Sequence, residues 1–141
     1  MKKLGLILLL FLIATGCSKK ASGKDTEVQY DIDLTSYSYD ELSNVLINMI
    51  VNPDTYVNKT IKFSGEFYSQ EYEGKRYFSI IKWNEDRSCP AGLDFIPPEN
   101  MEYPKHFPGN STEITIFGKI ESVSSGDNQI LTFVADKFMV N

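Results

Sequence analysis

The sequence predicts a mainly β fold, a five-stranded OB-like Greek-key barrel with an N-terminal amphipathic helix. Three observations carry this expectation. Five short segments alternate apolar and polar residues and are separated by turn-forming residues. Two of those segments share one pattern around a mid-strand glycine. One stretch with helical periodicity precedes all five.

Ser38-Tyr39-Asp40-Glu41 opens the helix. It has the spacing of a capping box, in which the Ser38 hydroxyl accepts from an early amide and Glu41 reaches back. Leu42, Val45, Leu46, Met49 and Ile50 then recur three and four residues apart, which predicts a single stripe facing a core. Asn52-Pro53 ends the helix, because a residue before proline is steered out of the α region.

From Thr60 to Tyr68, Ile61, Phe63 and Phe67 face one way and Lys62, Ser64 and Glu66 the other, the signature of a half-buried strand. Gly65 falls on the apolar face, where a missing side chain permits a bend or a close backbone approach. The polar turn at Glu73-Gly74 leads into a second strand, Lys75 to Trp83, so the two form a hairpin. After the turn containing Cys89, Leu93 and Phe95 alternate with Asp94 and Ile96 in a third strand that Pro97-Pro98 terminates. Glu99 to Asn110 is rich in Pro, Gly and Asn and predicts a loop with at most one helical turn.

Ile114 to Ile120 repeats the pattern of Ile61 to Phe67 when the two are aligned on Gly118 and Gly65. Two strands bent at the same position suit one curved sheet. Ser125-Gly126-Asp127-Asn128 turns the chain into a last strand, Gln129 to Val140. A three-strand meander, an irregular crossover and a final hairpin are what a small OB-type barrel requires. Bent strands let it close without exposed edges, and the helix can cover an open end. A β-sandwich or a flat sheet with one helix is the alternative architecture.

The N-terminus predicts export. Lys2 and Lys3 precede an apolar run from Leu4 to Ile13, followed by Ala14-Thr15-Gly16-Cys17, the charge, apolar and small-residue order of a signal peptide over residues 1–16. The run is shorter than the ~20 apolar residues a membrane-spanning helix needs. Small residues before a cysteine resemble the lipobox of bacterial lipoproteins, although the family pattern prefers Leu where Ala14 stands. That resemblance implies cleavage before Cys17 and a diacylglycerol on its thiol. Residues 17–28 then form the lipidated cysteine and a small, basic tether, and residues 29–141 a single domain.

Hydrophobic residues at 42% and aromatics at 13% suffice for a packed interior. Five of the 14 Lys+Arg residues precede Asp25, and all 19 Asp+Glu residues lie at or beyond it. From Asp25 onward the chain therefore carries 9 basic against 19 acidic residues, a net charge of −10. Nucleic-acid binding depends on neutralising phosphates with basic groups, so this balance argues against a polyanionic partner.

A wider resemblance rests on Asn52 through Gly65, an apolar strand, the cysteine turn followed by Gly92-Leu93-Asp94-Phe95, and Tyr103-Pro104 ahead of a glycine-containing strand. These features resemble small bacterial exported OB-fold lipoproteins that lack an assigned activity. Those are similar in shape to tRNA-anticodon-binding-like domains, and the likeness extends to a domain of unknown function found beside predicted permeases. The resemblance implies a lipid-anchored barrel and transfers no catalytic residue. Relatives often carry paired cysteines where Ser88-Cys89 stands, which weakens a vicinal-dithiol role here.

Three groups of residues are candidates for chemistry. With Cys17 acylated, Cys89 has no intramolecular partner, and a free cysteine packs as a small hydrophobe, so a buried structural thiol is expected. The alternative is thiol-redox or metal chemistry at Cys89, favoured by Arg87 and opposed by Glu85 and Asp86. His106, the sole histidine, could join Cys89, Asp94, Glu99 or Glu102 on a metal, yet none has close ligand spacing, so a solvated loop histidine is expected. Tyr77, Ile81 and Trp83 share one strand face and, with Tyr103, form the expected ligand-binding surface, because OB barrels stack flexible ligands on sheet-face aromatics.

No phosphate loop, nucleophile triad or cofactor motif is present. The function expected is therefore a non-enzymatic binding or scaffolding module without a cofactor. It would be lipid-anchored through Cys17 in the bacterial cell envelope, on the outer membrane or the external face of the plasma membrane. Its partner would be an envelope protein, peptide or glycan. Oligonucleotide binding ranks last, since only fold analogy suggests it.

Overall fold

The computed structural model describes residues 28–141; Cys17, the signal segment and nearly all of the tether lie outside the described residues. In chain order the elements are β1 (Ile32–Asp33), α1 (Tyr39–Val51), a 3-10 turn (Pro53–Thr55), β2 (Thr60–Tyr72), β3 (Lys75–Trp83), β4 (Pro90–Ile96), β5 (Thr112–Ser125) and β6 (Asn128–Val140). No helix among the described residues is long and apolar enough to cross a membrane.

The strands run β1-β2-β3-β4-β6-β5, and a further β2–β5 pairing closes the ring. This is the five-stranded OB-like Greek-key barrel expected, with β1 added as a short parallel strand beside β2. A sandwich or an open flat sheet does not describe it. The barrel interior is filled by Ile61, Phe63, Phe67, Ile80, Ile114 and Ile116, all fully buried.

The repeated glycine pattern lies on the closing seam. β2 and β5 pair antiparallel, so Ile61 meets Gly118 and Gly65 meets Ile114, each glycine opposite the other strand's isoleucine. A Cβ on Gly65 would lie 2.5 Å from the Ile81 carbonyl oxygen, and one on Gly118 would strike the Val134 carbonyl. At Phe117/Gly118 the β5–β6 register also shifts by a bulge. Both glycines thus sit where neighbouring backbones come too close for any side chain.

Helix α1 forms as predicted: the Ser38 and Glu41 side chains cap each other's backbone amides, and the helix stops at Asn52. Leu42 and Met49 are buried against the barrel, and Val45 and Leu46 pack beside them. Ile50 departs from the expectation, being 81% exposed. The barrel wall is narrower than the predicted stripe, so its outer edge is left in solvent together with Ile47 and Val51.

Closure also differs from the expectation of no exposed edges. β4 and β6 pair only at Phe95↔Phe133 and Ile96↔Val134, leaving a splay between them on the side of α1.

Candidate functional site

The alternation of β3 divides its side chains between two surfaces. Phe78 and Ile80 point into the barrel, whereas Tyr77, Ile81 and Trp83 stand on the outward face, each half-buried. The structure therefore brings three of the four expected ligand-contact residues onto one row. Tyr77 lies under Lys75, whose Nζ is 5.2 Å from the ring centroid. Ile81 is opposite Glu66 on β2, and Trp83 is opposite Pro90 on β4.

Around Trp83 the row becomes polar. The indole meets the Tyr68 ring edge-on, with centroids 6.4 Å apart, and the Arg87 guanidinium lies 5.1 Å from its centroid. Arg87 donates two hydrogen bonds to Glu66, of 2.7 and 3.0 Å. The Tyr68 hydroxyl donates to the same carboxylate at 2.9 Å and lies 2.8 Å from Ser111 Oγ.

Arg87 above all, with help from Tyr68, holds the Glu66 carboxyl below the usual carboxylate range against the opposing effect of burial. Glu66 in turn raises Arg87 above its ordinary value. Trp83 Nε1 is buried without a hydrogen-bond partner among the described residues, although it faces Glu66 closely enough to help lower that carboxyl. Geometry decides here: the indole N–H has an acceptor nearby and no bond of acceptable shape to it. The result is a cleft of about 310 Å³ walled by Glu66, Trp83, Arg87 and Glu113. It offers an aromatic surface, carboxylates and a guanidinium, suited to a polar ligand with an apolar face.

Sequence reasoning did not single out Tyr68, Glu66 and Arg87 as one network. Period-two alternation places Glu66 and Tyr68 together on the outward face of β2, but nothing in the spacing brings Arg87 to them. Arg87 reaches Glu66 because the β3–β4 turn adopts a left-handed backbone there, with φ 57°.

That turn also holds Cys89. Asn84 organises it, donating its N–H to the Cys89 carbonyl at 3.2 Å and accepting the Cys89 N–H on Oδ1 at 2.9 Å. Asp86 accepts from the Ser88 amide and hydroxyl, and these bonds lower its carboxyl from the ordinary value. Cys89 itself is exposed, which corrects the expectation of a buried thiol. The reason is local: the cysteine sits at the tip of a turn whose polar side chains bond to one another, so no apolar surface is available to cover it.

His106 is exposed on the loop 97–111, where Nδ1 accepts the Glu102 amide at 2.9 Å. Its neighbour Phe107 stacks on Phe78, whereas Cys89 lies just beyond Trp83. Five residues of strand separate those two β3 positions, roughly 16 Å at the usual rise. Cys89 and His106 are thus not brought together, and no group of three His, Cys, Asp or Glu side chains able to hold a metal occurs among the described residues.

Tyr103 likewise lies apart from the outward row. It packs against Phe78 and Phe107, with centroids 5.9 and 5.8 Å away, beneath the Arg76 guanidinium at 4.1 Å. Phe107 stacks on Phe78 at 4.6 Å and also meets Phe67 and Phe138. The loop between β4 and β5 therefore supplies an aromatic plug to one end of the barrel. Tyr103 belongs to that plug because its loop crosses the barrel end rather than its side.

No protein-family model matches the chain, and no curated protein matches it. Among solved structures it is similar to the dimeric N-terminal domain of the PriB protein from Thermoanaerobacter tencongensis. The identity is 19%, covering 60% of this chain and 96% of that one, with a TM-score of 0.36. A likeness of that extent carries no argument about ligand or activity, and the OB-like assignment rests on the strand order and closure of the barrel itself.

Proposed function

We propose that this chain is a lipid-anchored protein of the bacterial cell envelope whose OB-like barrel is a non-enzymatic binding module. Residues 1–16 would be the signal peptide, Cys17 the acylated anchor, residues 17–28 the tether and 29–141 the binding domain. The observation that carries the binding role is the outward β3 row of Tyr77, Ile81 and Trp83, with the Arg87–Glu66 ion pair beside Trp83 at its polar end. Aromatic faces next to a carboxylate and a guanidinium suit a polar ligand with an apolar face. The acidity of the domain directs this row toward a protein, peptide or glycan of the envelope.

Two measurements test the proposal. Trp83→Leu is expected to lower recovery of a cross-linked envelope partner at least several-fold while the near-UV circular dichroism of the barrel is retained; undiminished recovery would remove the row from the binding account. Cys17→Ala is expected to abolish incorporation of a labelled fatty acid and to release the protein from the membrane fraction. Persistence of label or membrane association would contradict the anchor.

The exposure of Cys89 favours a second reading, in which its thiol serves mixed-disulfide or metal chemistry. Mass spectrometry of the native protein from cells distinguishes the two. An adduct or retained metal on Cys89 supports the thiol reading, and an unmodified, freely labelled thiol leaves the binding module alone.

A further inference from the structure

We propose that the splay between β4 and β6 is a docking groove for an extended polypeptide segment, which enters as an additional strand. β4 and β6 run parallel and are in register at Phe95↔Phe133 and Ile96↔Val134. Carried back along both strands, the same register sets Gly92 level with Ile130, and there the pairing has ceased. Gly92 pairs with Ile81 of β3 on its other side, and Ile130 with Val123 of β5. Each strand thus turns one backbone edge toward the gap.

Three clefts of about 310, 320 and 690 Å³ occupy the region and share Leu131 in their walls. Exposed apolar side chains rim them, Ile50 at 81%, Ile130 at 51% and Ile96 at 49%; the polar Asp94 and Thr132 line both the first and the third cleft, and Met49 of α1 lines the first and the second. Two strand edges facing each other across this gap fit an extended main chain, whose amides and carbonyls bond to the edges while alternate side chains cover the exposed isoleucines.

Charge at the two mouths specifies the occupant further. One mouth lies at the C-terminal end of α1, whose last turn carries no basic residue and is followed by Asp54, so the partial negative charge of the helix end is uncompensated. At the other mouth, Lys75 lies over Tyr77 and makes no ion pair among the described residues. The fitting partner is a segment of alternating apolar residues with a basic residue at the α1 mouth and an acidic residue at the Lys75 mouth. The groove touches the outward row only at Tyr77, so it does not depend on the role proposed for Trp83.

The test uses the full chain in phosphatidylcholine nanodiscs and a displayed library of random ten-residue peptides. Enrichment of apolar-alternating peptides bearing that charge order is expected. Synthetic copies should bind with slowed hydrogen exchange at the Gly92 and Leu131 amides, whose N–H groups face the gap, whereas the Ile130 amide is turned to Val123. Ile130→Glu or Ile50→Glu, both at exposed positions, should weaken them at least tenfold, as should N-methylation of alternate peptide amides, while Trp83→Leu changes affinity less than twofold. No enrichment, or binding indifferent to Ile130→Glu, overturns the groove. Peptides lost in Trp83→Leu but kept in Ile130→Glu overturn it too and return the ligand to the outward row. Self-association abolished by Ile130→Glu would assign the gap to a second copy of the chain and equally overturn the partner segment.

Discussion

The Glu66 carboxylate is where a single residue links stability to pH. Its pKa is lowered in the folded barrel, first by the hydrogen bonds from Arg87 and then by the Tyr68 hydroxyl. A folded-state pKa below the unfolded one, about 4.3 for Glu, stabilises fully above that unfolded value and is lost as pH falls through the folded value. Asp31, bonded to Thr60, and Glu41, bonded to Ser38, are shifted in the same direction. Stability should therefore decline on acidification below about pH 4. Arg87→Gln should raise the Glu66 titration midpoint and flatten that decline. Carboxyl-resolved NMR titration with urea midpoints at neutral and acid pH checks both; an unmoved Glu66 would show that Arg87 does not set its charge.

At the scale of the element, β2 and β5 depend on what their glycines lack. A methyl group on Gly118 would meet the Val134 carbonyl and the Ala135 Cα, which are backbone atoms of β6 and cannot swing aside. Gly118→Ala should cost about 1–3 kcal/mol, the usual penalty for overpacking. Gly109, on the loop before β5, has open space around its Cβ position, so Gly109→Ala should stay within about 0.5 kcal/mol. Chemical denaturation of both variants provides the comparison, and equal effects would refute the close-approach account. Helix α1 rests on different physics. Its start is written locally in the Ser38–Glu41 box, whereas which side of its stripe is buried depends on the width of the barrel wall it meets.

For the whole molecule the governing quantities are the net charge of −10 from Asp25 onward and the closure of the barrel. Polyanion binding requires basic groups against phosphates, and typical non-specific affinities are about 10⁻⁴–10⁻⁶ M at physiological salt. Fluorescence anisotropy with a labelled oligothymidine at that ionic strength should show binding weaker than this range; a tighter, salt-dependent complex would restore the nucleic-acid reading. The sequence by itself determined the five main strands, the helix with its cap, the two glycine bends and hence the barrel, because alternation, capping and turn chemistry act between residues near in the chain. It also brought Tyr77, Ile81 and Trp83 onto one face, since a strand's period of two needs no tertiary information. Only the tertiary structure decided that Cys89 is exposed, that Tyr103 and His106 lie toward the opposite end of the barrel, that Arg87 reaches Glu66, and that β4 and β6 part after two pairs. Each of these depends on how far distant segments approach one another, and that distance is set by the curvature of the closed sheet, which no local spacing encodes.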